Sequence, residues 1–146
     1  MPKVRPRKKT STKPRKRSPI KKSAAFWSRL SRQEPNNAEM TLFGIMCYLG
    51  LPYKYTGNGQ FILSGMCPDF IHLTDRKIIE MYGERWHLPE EEEQRITLFA
   101  RSDYQTLIVW SKELTPSNRK RLYKRLLEFE ALPNNVGSIS CNTKMS

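Results

Sequence analysis

The sequence has few cysteines and no long apolar run, and both shortages exclude classes of protein. It contains only three cysteines, Cys47, Cys67 and Cys141, and no two of them form a Cys-x-x-Cys pair. A disulfide framework and a standard structural zinc site are therefore disfavoured, and we expect a reducing compartment. No apolar run approaches the roughly 18 residues that a membrane span needs, so no transmembrane segment is expected.

Acidic residues are absent from the beginning of the chain, and the net charge of +12 comes from there. Residues 1–22 hold eleven of the 26 lysines and arginines, and the residues after them carry 15 basic and 14 acidic side chains. A proline-containing cationic segment buries too little apolar surface to offset its ordering entropy. We therefore predict a basic, largely disordered arm at 1–34, one globular domain at 35–132 and a flexible tail at 133–146.

The arm is expected to bind a polyanion, because each phosphate that a cation neutralises releases counterions. It lacks the apolar face of a transit peptide and the apolar core of a secretory signal, while residues 14–17 are also typical of a nuclear localisation patch. DNA and RNA are not separated by this composition, and a solubilising tail is the remaining interpretation. The expected compartment is the cytoplasm, or the nucleus in a eukaryotic cell. The arm residues predicted to contact nucleic acid are Arg5, Arg7, Lys8, Lys9, Arg15, Lys16 and Arg17.

The apolar pattern of the domain predicts the element order α-β-β-β-β-α-β-α. Apolar residues recur at spacings of three and four in three segments, which predicts helices at 38–49, 90–102 and 115–129. Alternating or continuous apolar runs bounded by turn residues predict strands at 51–55, 60–63, 70–73, 77–82 and 106–110. The last of these runs is apolar throughout, which is typical of a strand buried on both faces of a mixed sheet. The predicted fold class is α/β, with helices covering a central sheet.

Two carboxylates lie at the ends of predicted neighbouring strands. Asp69 directly precedes one strand, and Glu80 follows the apolar start of the next. Such a pair can share a hard cation such as Mg²⁺, which prefers oxygen ligands. Glu39 lies on the apolar face of the first predicted helix, and His87 follows a few residues after Glu80, where it can exchange protons.

Three motifs around these positions carry a resemblance to a known family. They are Cys-Pro-Asp-Phe at 67–70, Tyr-Gly-x-x-Trp-His at 82–87 after a strand with Glu80, and Leu-Ile-Val-Trp at 107–110. In this order and spacing they resemble the very-short-patch repair (Vsr) endonucleases. The resemblance is closer still to their phage and intron-borne homing-endonuclease relatives in the PD-(D/E)XK nuclease superfamily. It extends over residues 35–114.

The resemblance implies a restriction-endonuclease-like core and a Mg²⁺-dependent DNA endonuclease of a homing or other selfish element. Asp69 would be the central metal ligand, beside Glu80 as the second ligand, and Glu39 would organise metal-bound water. His87 would perform acid–base chemistry. Glu92 stands where the family usually has an aspartate that partners this histidine. DNA is then the expected partner, with RNA as the alternative and no membrane.

Two departures from the family pattern leave a second function open. The repair enzymes have a second histidine where this chain has Tyr82, and the wider superfamily places a lysine there. The clustered Cys and His ligands of the repair enzymes' structural zinc are also missing. The alternative is a catalytically inactive nuclease fold that acts as a nucleic-acid-binding or ribonucleoprotein subunit.

Three further predictions concern polar and aromatic side chains outside the motif chemistry. The last predicted helix has a basic side that is either a solvated face or a nucleic-acid contact, formed by Arg119, Lys120, Arg121 and Lys124. His72 alternates with apolar neighbours on a strand, which predicts a surface histidine. Trp86 is predicted to pack in the core.

Overall fold

Four helices and four strands make up the part of the chain, residues 24–134, that the structure (a computed structural model) describes. The helices are α1 (Ala24–Leu30), α2 (Asn37–Tyr48), α3 (Glu90–Ala100) and α4 (Arg119–Ala131). The strands are β1 (Tyr53–Tyr55), β2 (Phe70–His72), β3 (Lys77–Tyr82) and β4 (Gln105–Trp110), and a 3₁₀ helix spans Ser111–Leu114. No described helix has both the length and the apolar character to cross a bilayer.

The four strands form one mixed sheet in the order β1-β2-β3-β4. β2 pairs antiparallel with β1 and with β3, and β3 pairs parallel with β4. The connection between the parallel strands contains α3, as a parallel crossover requires. The predicted α/β class and the mixed sheet are therefore confirmed.

Two strand predictions need correction. Residues 60–63 form no strand, because left-handed backbone at Gly59, Ser64 and Gly65 folds this segment back on itself, and only the bridge between Leu63 and Met66 remains. The strand buried along its whole length is β3, while β4 lies at the sheet edge and is only partly buried.

The core lies mainly between the sheet and the helices α2 and α4. Leu42 and Met46 of α2 and Leu122 and Leu126 of α4 are fully buried in one cluster with residues of the sheet. Alternation along β3 turns Ile78 and Glu80 toward the opposite face, which α3 approaches through its contacts with β4. A cleft lined by residues from both α2 and α3 opens beside the sheet.

The described residues include only part of the predicted arm and of the predicted tail. The helix α1 lies within the segment predicted as the arm, and a Cβ at Gly59 would come within 2.7 Å of the Leu30 side chain. The arm residues 1–22 and the tail residues 135–146 lie outside the described residues.

Candidate functional site

A cleft of about 660 Å³ lies beside the end of β3 and the start of β2. Four of the five side chains predicted as catalytic line it, namely Glu39, Asp69, Glu80 and His87. Glu92, the fifth, borders a different groove with Trp110. Residues separated by up to 48 positions in the sequence thus meet at one place.

Sheet register places Asp69 beside Glu80. Phe70 pairs with Ile79 in the antiparallel β2–β3 ladder, and the same register one step further brings Asp69 opposite Glu80. Asp69 Oδ2 accepts a hydrogen bond of 2.8 Å from the backbone N–H of Met81. Asp69, which directly precedes β2, and Glu80, which lies within β3, therefore face the same cleft.

The two oxygens of Glu80 have different environments. Oε2 accepts hydrogen bonds from Arg95 Nε at 3.3 Å and Nη2 at 3.1 Å. Oε1 is buried and has no hydrogen-bond partner among the described residues. A buried carboxylate oxygen without a donor is costly, since its desolvation is not compensated.

Burial raises the pKa of all three carboxylates of the cleft, and repulsion by another carboxylate adds to it at Asp69 and Glu80. Burial and, second, the charge of Glu80 raise the pKa of Asp69 well above its usual range. The hydrogen bond from the Met81 N–H and the charge of Arg95 lower this pKa, but by less. Burial raises the pKa of Glu80 to about 7 despite its ion pair with Arg95. The pKa of Glu39 is also raised by burial. A cation in the cleft would favour the ionised form of each group.

Glu39 has a structural role as well as a place in the cleft. Its Oε2 accepts from the Asn36 N–H at 2.8 Å, and its own N–H donates to Asn36 Oδ1 at 2.9 Å. This reciprocal pair is a capping box, which starts α2. The Asn36 N–H and, to a smaller extent, the Tyr55 hydroxyl partly offset the effect of burial on the Glu39 pKa. Glu39 is therefore held in position by the start of its own helix.

His87 is held by a carboxylate and by an aromatic ring. Its Nδ1 lies 2.9 Å from Glu91 Oε2, and its ring stacks on Tyr82 with 3.9 Å between centroids. An ionised carboxylate only accepts hydrogen bonds, so Nδ1 carries the proton in this contact and Nε2 is left for other chemistry.

The partner of His87 is Glu91, and the pairing predicted for Glu92 is wrong. Glu92 instead accepts a hydrogen bond from Trp110 Nε1. Successive residues of a helix point about 100° apart, so the two glutamates cannot both face His87. The signal that identifies Glu91 is its spacing of four from Arg95, because residues four apart share a helix face.

Arg95 is a further residue of the cleft that local sequence patterns did not indicate. It lines the cleft, bonds Glu80, and its guanidinium lies 5.1 Å from the ring centroid of Phe99. Its side chain is 17% exposed, so the charge is largely removed from water.

Trp86 is an exposed residue, and its predicted place in the core is wrong. It is 82% exposed and lines the cleft beside His87. The backbone N–H groups of Trp86 and His87 both donate to Gly83 O, and this tight turn directs the indole outward. Aromatic residues are enriched at binding interfaces relative to the rest of a protein surface.

His72 is buried, so the prediction of a surface histidine is also wrong. Its Nε2 lies 2.8 Å from Glu130 Oε1, and these two residues and Asp75 bring possible ligand atoms within 4.8 Å of one another. His72 Nδ1 accepts from the backbone N–H groups of Thr74 and Asp75, so the proton is on Nε2 and is donated to Glu130.

A lysine already lies against this three-residue group. The ammonium of Lys77 is 1% exposed, lies 3.8 Å from Asp75 Oδ2 and donates to Glu130 O at 2.6 Å. With a protonated Nε2 and a resident lysine, this group is a hydrogen-bonded connection between α4 and the sheet.

The predicted basic face of the last helix is largely exposed. Lys120, Arg121 and Lys124 lie at the surface of α4, while Arg119 is half-buried and donates to Leu114 O at 3.3 Å. Arg121 borders the groove that also contains Trp110 at the end of β4. An exposed cation of α4 therefore lies next to the C-terminal end of β4.

Comparison with known proteins identifies one solved structure with a similar fold. No protein-family profile and no curated protein matches the sequence. The catalytic domain of the homing endonuclease I-Bth0305I is structurally similar, with a TM-score of 0.50 and 13% sequence identity. The similarity covers 65% of this chain and 94% of that domain. At this identity it shows a shared mixed α/β fold.

Proposed function

We propose that this protein is a Mg²⁺-dependent DNA endonuclease that hydrolyses a phosphodiester bond in the cleft, and that it serves a homing or other selfish element. The observation that carries the proposal is that Asp69 and Glu80, on neighbouring strands, line one cleft with Glu39 and His87. The fold shared with a homing endonuclease catalytic domain supports the reaction class. A Vsr-like PD-(D/E)XK core is part of the same proposal.

The cleft fits a hard divalent cation. Its donors are carboxylate oxygens, the buried Oε1 of Glu80 has no donor among the described residues, and the pKa values of Asp69 and Glu80 are both raised. Asp69 and Glu80 would hold the ion. When bound, the ion would polarise a phosphoryl oxygen and lower the pKa of a water molecule.

His87 supplies the proton transfer in this proposal. The Glu91 carboxylate holds the Nδ1 proton, so Nε2 is the atom that takes a proton from the attacking water or gives one to the leaving oxygen. Tyr82 stacks flat on the imidazole and restricts its plane. Glu39, fixed by its capping box, would orient water beside Asp69.

Positive and aromatic groups around the cleft would bind the nucleic acid. Arg85 and the exposed Trp86 border the cleft, where they can contact a phosphate and a base. The exposed cations of α4 and the basic arm would attach to the backbone and give affinity without sequence preference.

A plasmid-cleavage assay with the full chain tests the proposal. We expect nicked or linear DNA with Mg²⁺ and intact DNA with EDTA. Asp69→Asn should abolish cleavage because it removes a ligand charge at nearly constant shape. Asp103→Asn is the matched control, since Asp103 is exposed and has a left-handed backbone (φ 64°) that asparagine tolerates.

Two results of this assay would contradict the proposal. Cleavage that persists in Asp69→Asn would mean that the products come from another site or from a contaminant. DNA binding without cleavage in Mg²⁺ or Mn²⁺ would favour the alternative, a nuclease fold that acts as a nucleic-acid-binding or ribonucleoprotein subunit.

A further inference from the structure

The guanidinium of Arg95 occupies one side of the Glu80 carboxylate. Both Nε and Nη2 donate to the single oxygen Oε2, and Nη2 also lies 3.5 Å from Cys67 O. The face of Phe99 lies beside the guanidinium and restricts its movement. Arg95 is therefore a fixed cation inside a cleft of carboxylates.

A site for two metal ions needs a carboxylate that can serve both of them. In such sites two ions about 3.5–4 Å apart flank the reacting phosphate. Bridging two ions through both oxygens of one carboxylate needs both of them free, whereas Glu80 Oε2 is paired with Arg95 and Asp69 Oδ2 accepts from the Met81 N–H. The remaining oxygens of Asp69 and Glu80, among them Glu80 Oε1, therefore provide ligands for one ion.

We propose that Arg95 takes the place of a second metal ion, so that the cleft binds one divalent cation through Asp69 and Glu80 Oε1. The inference deepens the proposed function and rests on it. A guanidinium has five N–H donors, and the contacts above use the N–H of Nε and those of Nη2. The remaining donors can bind a phosphate oxygen that enters the cleft, as a second ion would do.

Counting bound Mn²⁺ tests the inference without any reaction. Equilibrium dialysis of the full chain at pH 8.5, with free Mn²⁺ read from its electron paramagnetic resonance signal, gives the number of ions per chain. Ions on surface acids are removed from the count by subtracting the number bound to Asp69→Asn. We expect a difference of one ion for the wild type, and a difference of two would overturn the inference.

Arg95→Met provides the second half of the test. Methionine keeps apolar contact with Phe99 and removes the cation, so Oε2 becomes free and the count should rise from one to two. DNA cleavage should fall about 10²-fold in kcat, as for loss of a donor to a developing charge. Arg101→Met, at an exposed arginine just after the same helix, should change neither quantity.

The charge-preserving variant and the folding of each protein complete the design. Arg95→Lys should keep a count of one, because an ammonium still neutralises Oε2. A count of one in folded Arg95→Met would overturn the inference. If Arg95→Met shows no cooperative thermal unfolding, the wild-type count decides alone.

The outcome is separable from that of the proposed function. A wild-type chain that binds one ion and leaves DNA intact would refute the nuclease proposal and preserve the role of Arg95 toward the metal. A chain that cleaves DNA and binds two ions would do the opposite.

Discussion

Raising the pH from 5 to 8 should weaken the fold of the metal-free protein. Burial raises the pKa of Glu80, Asp69 and Glu39 in the folded state, whereas the unfolded chain ionises near the ordinary values. At pH values between the unfolded-state pKa and the folded-state pKa, the folded state therefore binds more protons than the unfolded state. The stabilisation is complete below the unfolded pKa and is lost as the pH rises through the folded pKa.

Glu80 alone gives the order of magnitude of the effect. Its pKa rises from 4.5 to about 7 in a side chain that is 2% exposed, so solvent screening is small. At about 1.4 kcal/mol for each pH unit, this difference corresponds to a loss of about 3 kcal/mol of unfolding free energy. For a domain of this size that is a fall in Tm on the order of 10 °C.

Thermal unfolding followed by circular dichroism in EDTA, at pH values from 5 to 8, measures this loss. Glu80→Gln should flatten the profile, because the titrating group is gone, while Glu93→Gln on the exposed side of α3 should leave it unchanged. Mg²⁺ at pH 8 should restore the wild-type Tm in proportion to RT ln(1 + [L]/Kd). A Tm that is constant or rises from pH 5 to 8 in EDTA would refute the electrostatic account of the cleft.

Three further predictions concern metal, catalysis and attachment. Asp69→Asn should lose the Mg²⁺-induced rise in Tm and keep or increase DNA affinity, because one repulsion with phosphate is removed; calorimetry and filter binding measure the two effects. His87→Ala should lower the cleavage rate roughly 10²–10⁴-fold with little change in DNA Kd, and Glu91→Gln roughly 10-fold, in single-turnover kinetics. Deleting residues 1–22 removes eleven cations, so binding to every sequence should weaken and the slope of log K against log salt should become shallower.

Each of these predictions has a result that contradicts it. An intact Mg²⁺ response in Asp69→Asn would place the ion elsewhere. Equal losses of binding and cleavage in His87→Ala would make the histidine an anchor of its loop. An unchanged salt slope after the deletion would show that the arm does not contact phosphates.

Local signals in the sequence predicted most of the fold. The asparagine before α2 and the apolar spacing of Leu42 and Met46 identify that helix, and the apolar run of β4 identifies its strand. The prediction of a strand at 60–63 was wrong. The apolar run is typical of a strand, but the left-handed residues on both sides of it prevent pairing with a neighbouring strand. Which strand lies at the sheet centre depends on long-range pairing, which no local pattern contains.

The candidate site was predictable only in part. Asp69 was predicted at a strand start and lies there, whereas Glu80 lies within β3 and not at its end; the register of β2 with β3 extends to bring the two residues opposite each other. Arg95 and Glu91 were missed because their roles depend on how α3 is rotated on the sheet. Trp86 is exposed because one tight turn at Gly83 directs its indole outward, whereas its hydrophobicity alone predicts burial.

The parallel pairing of β3 with β4 determines when the site can exist during biosynthesis. The β2–β3 hairpin is local and brings Asp69 to Glu80 early, but α3 is held against the sheet through β4, and β3 pairs with β4 across 28 residues, from Lys77 to Gln105. A nascent chain that ends before residue 105 thus has the carboxylates but no fixed place for the helix that carries Glu91 and Arg95. Any nuclease activity should therefore appear late in synthesis, after the ribosome has released β4.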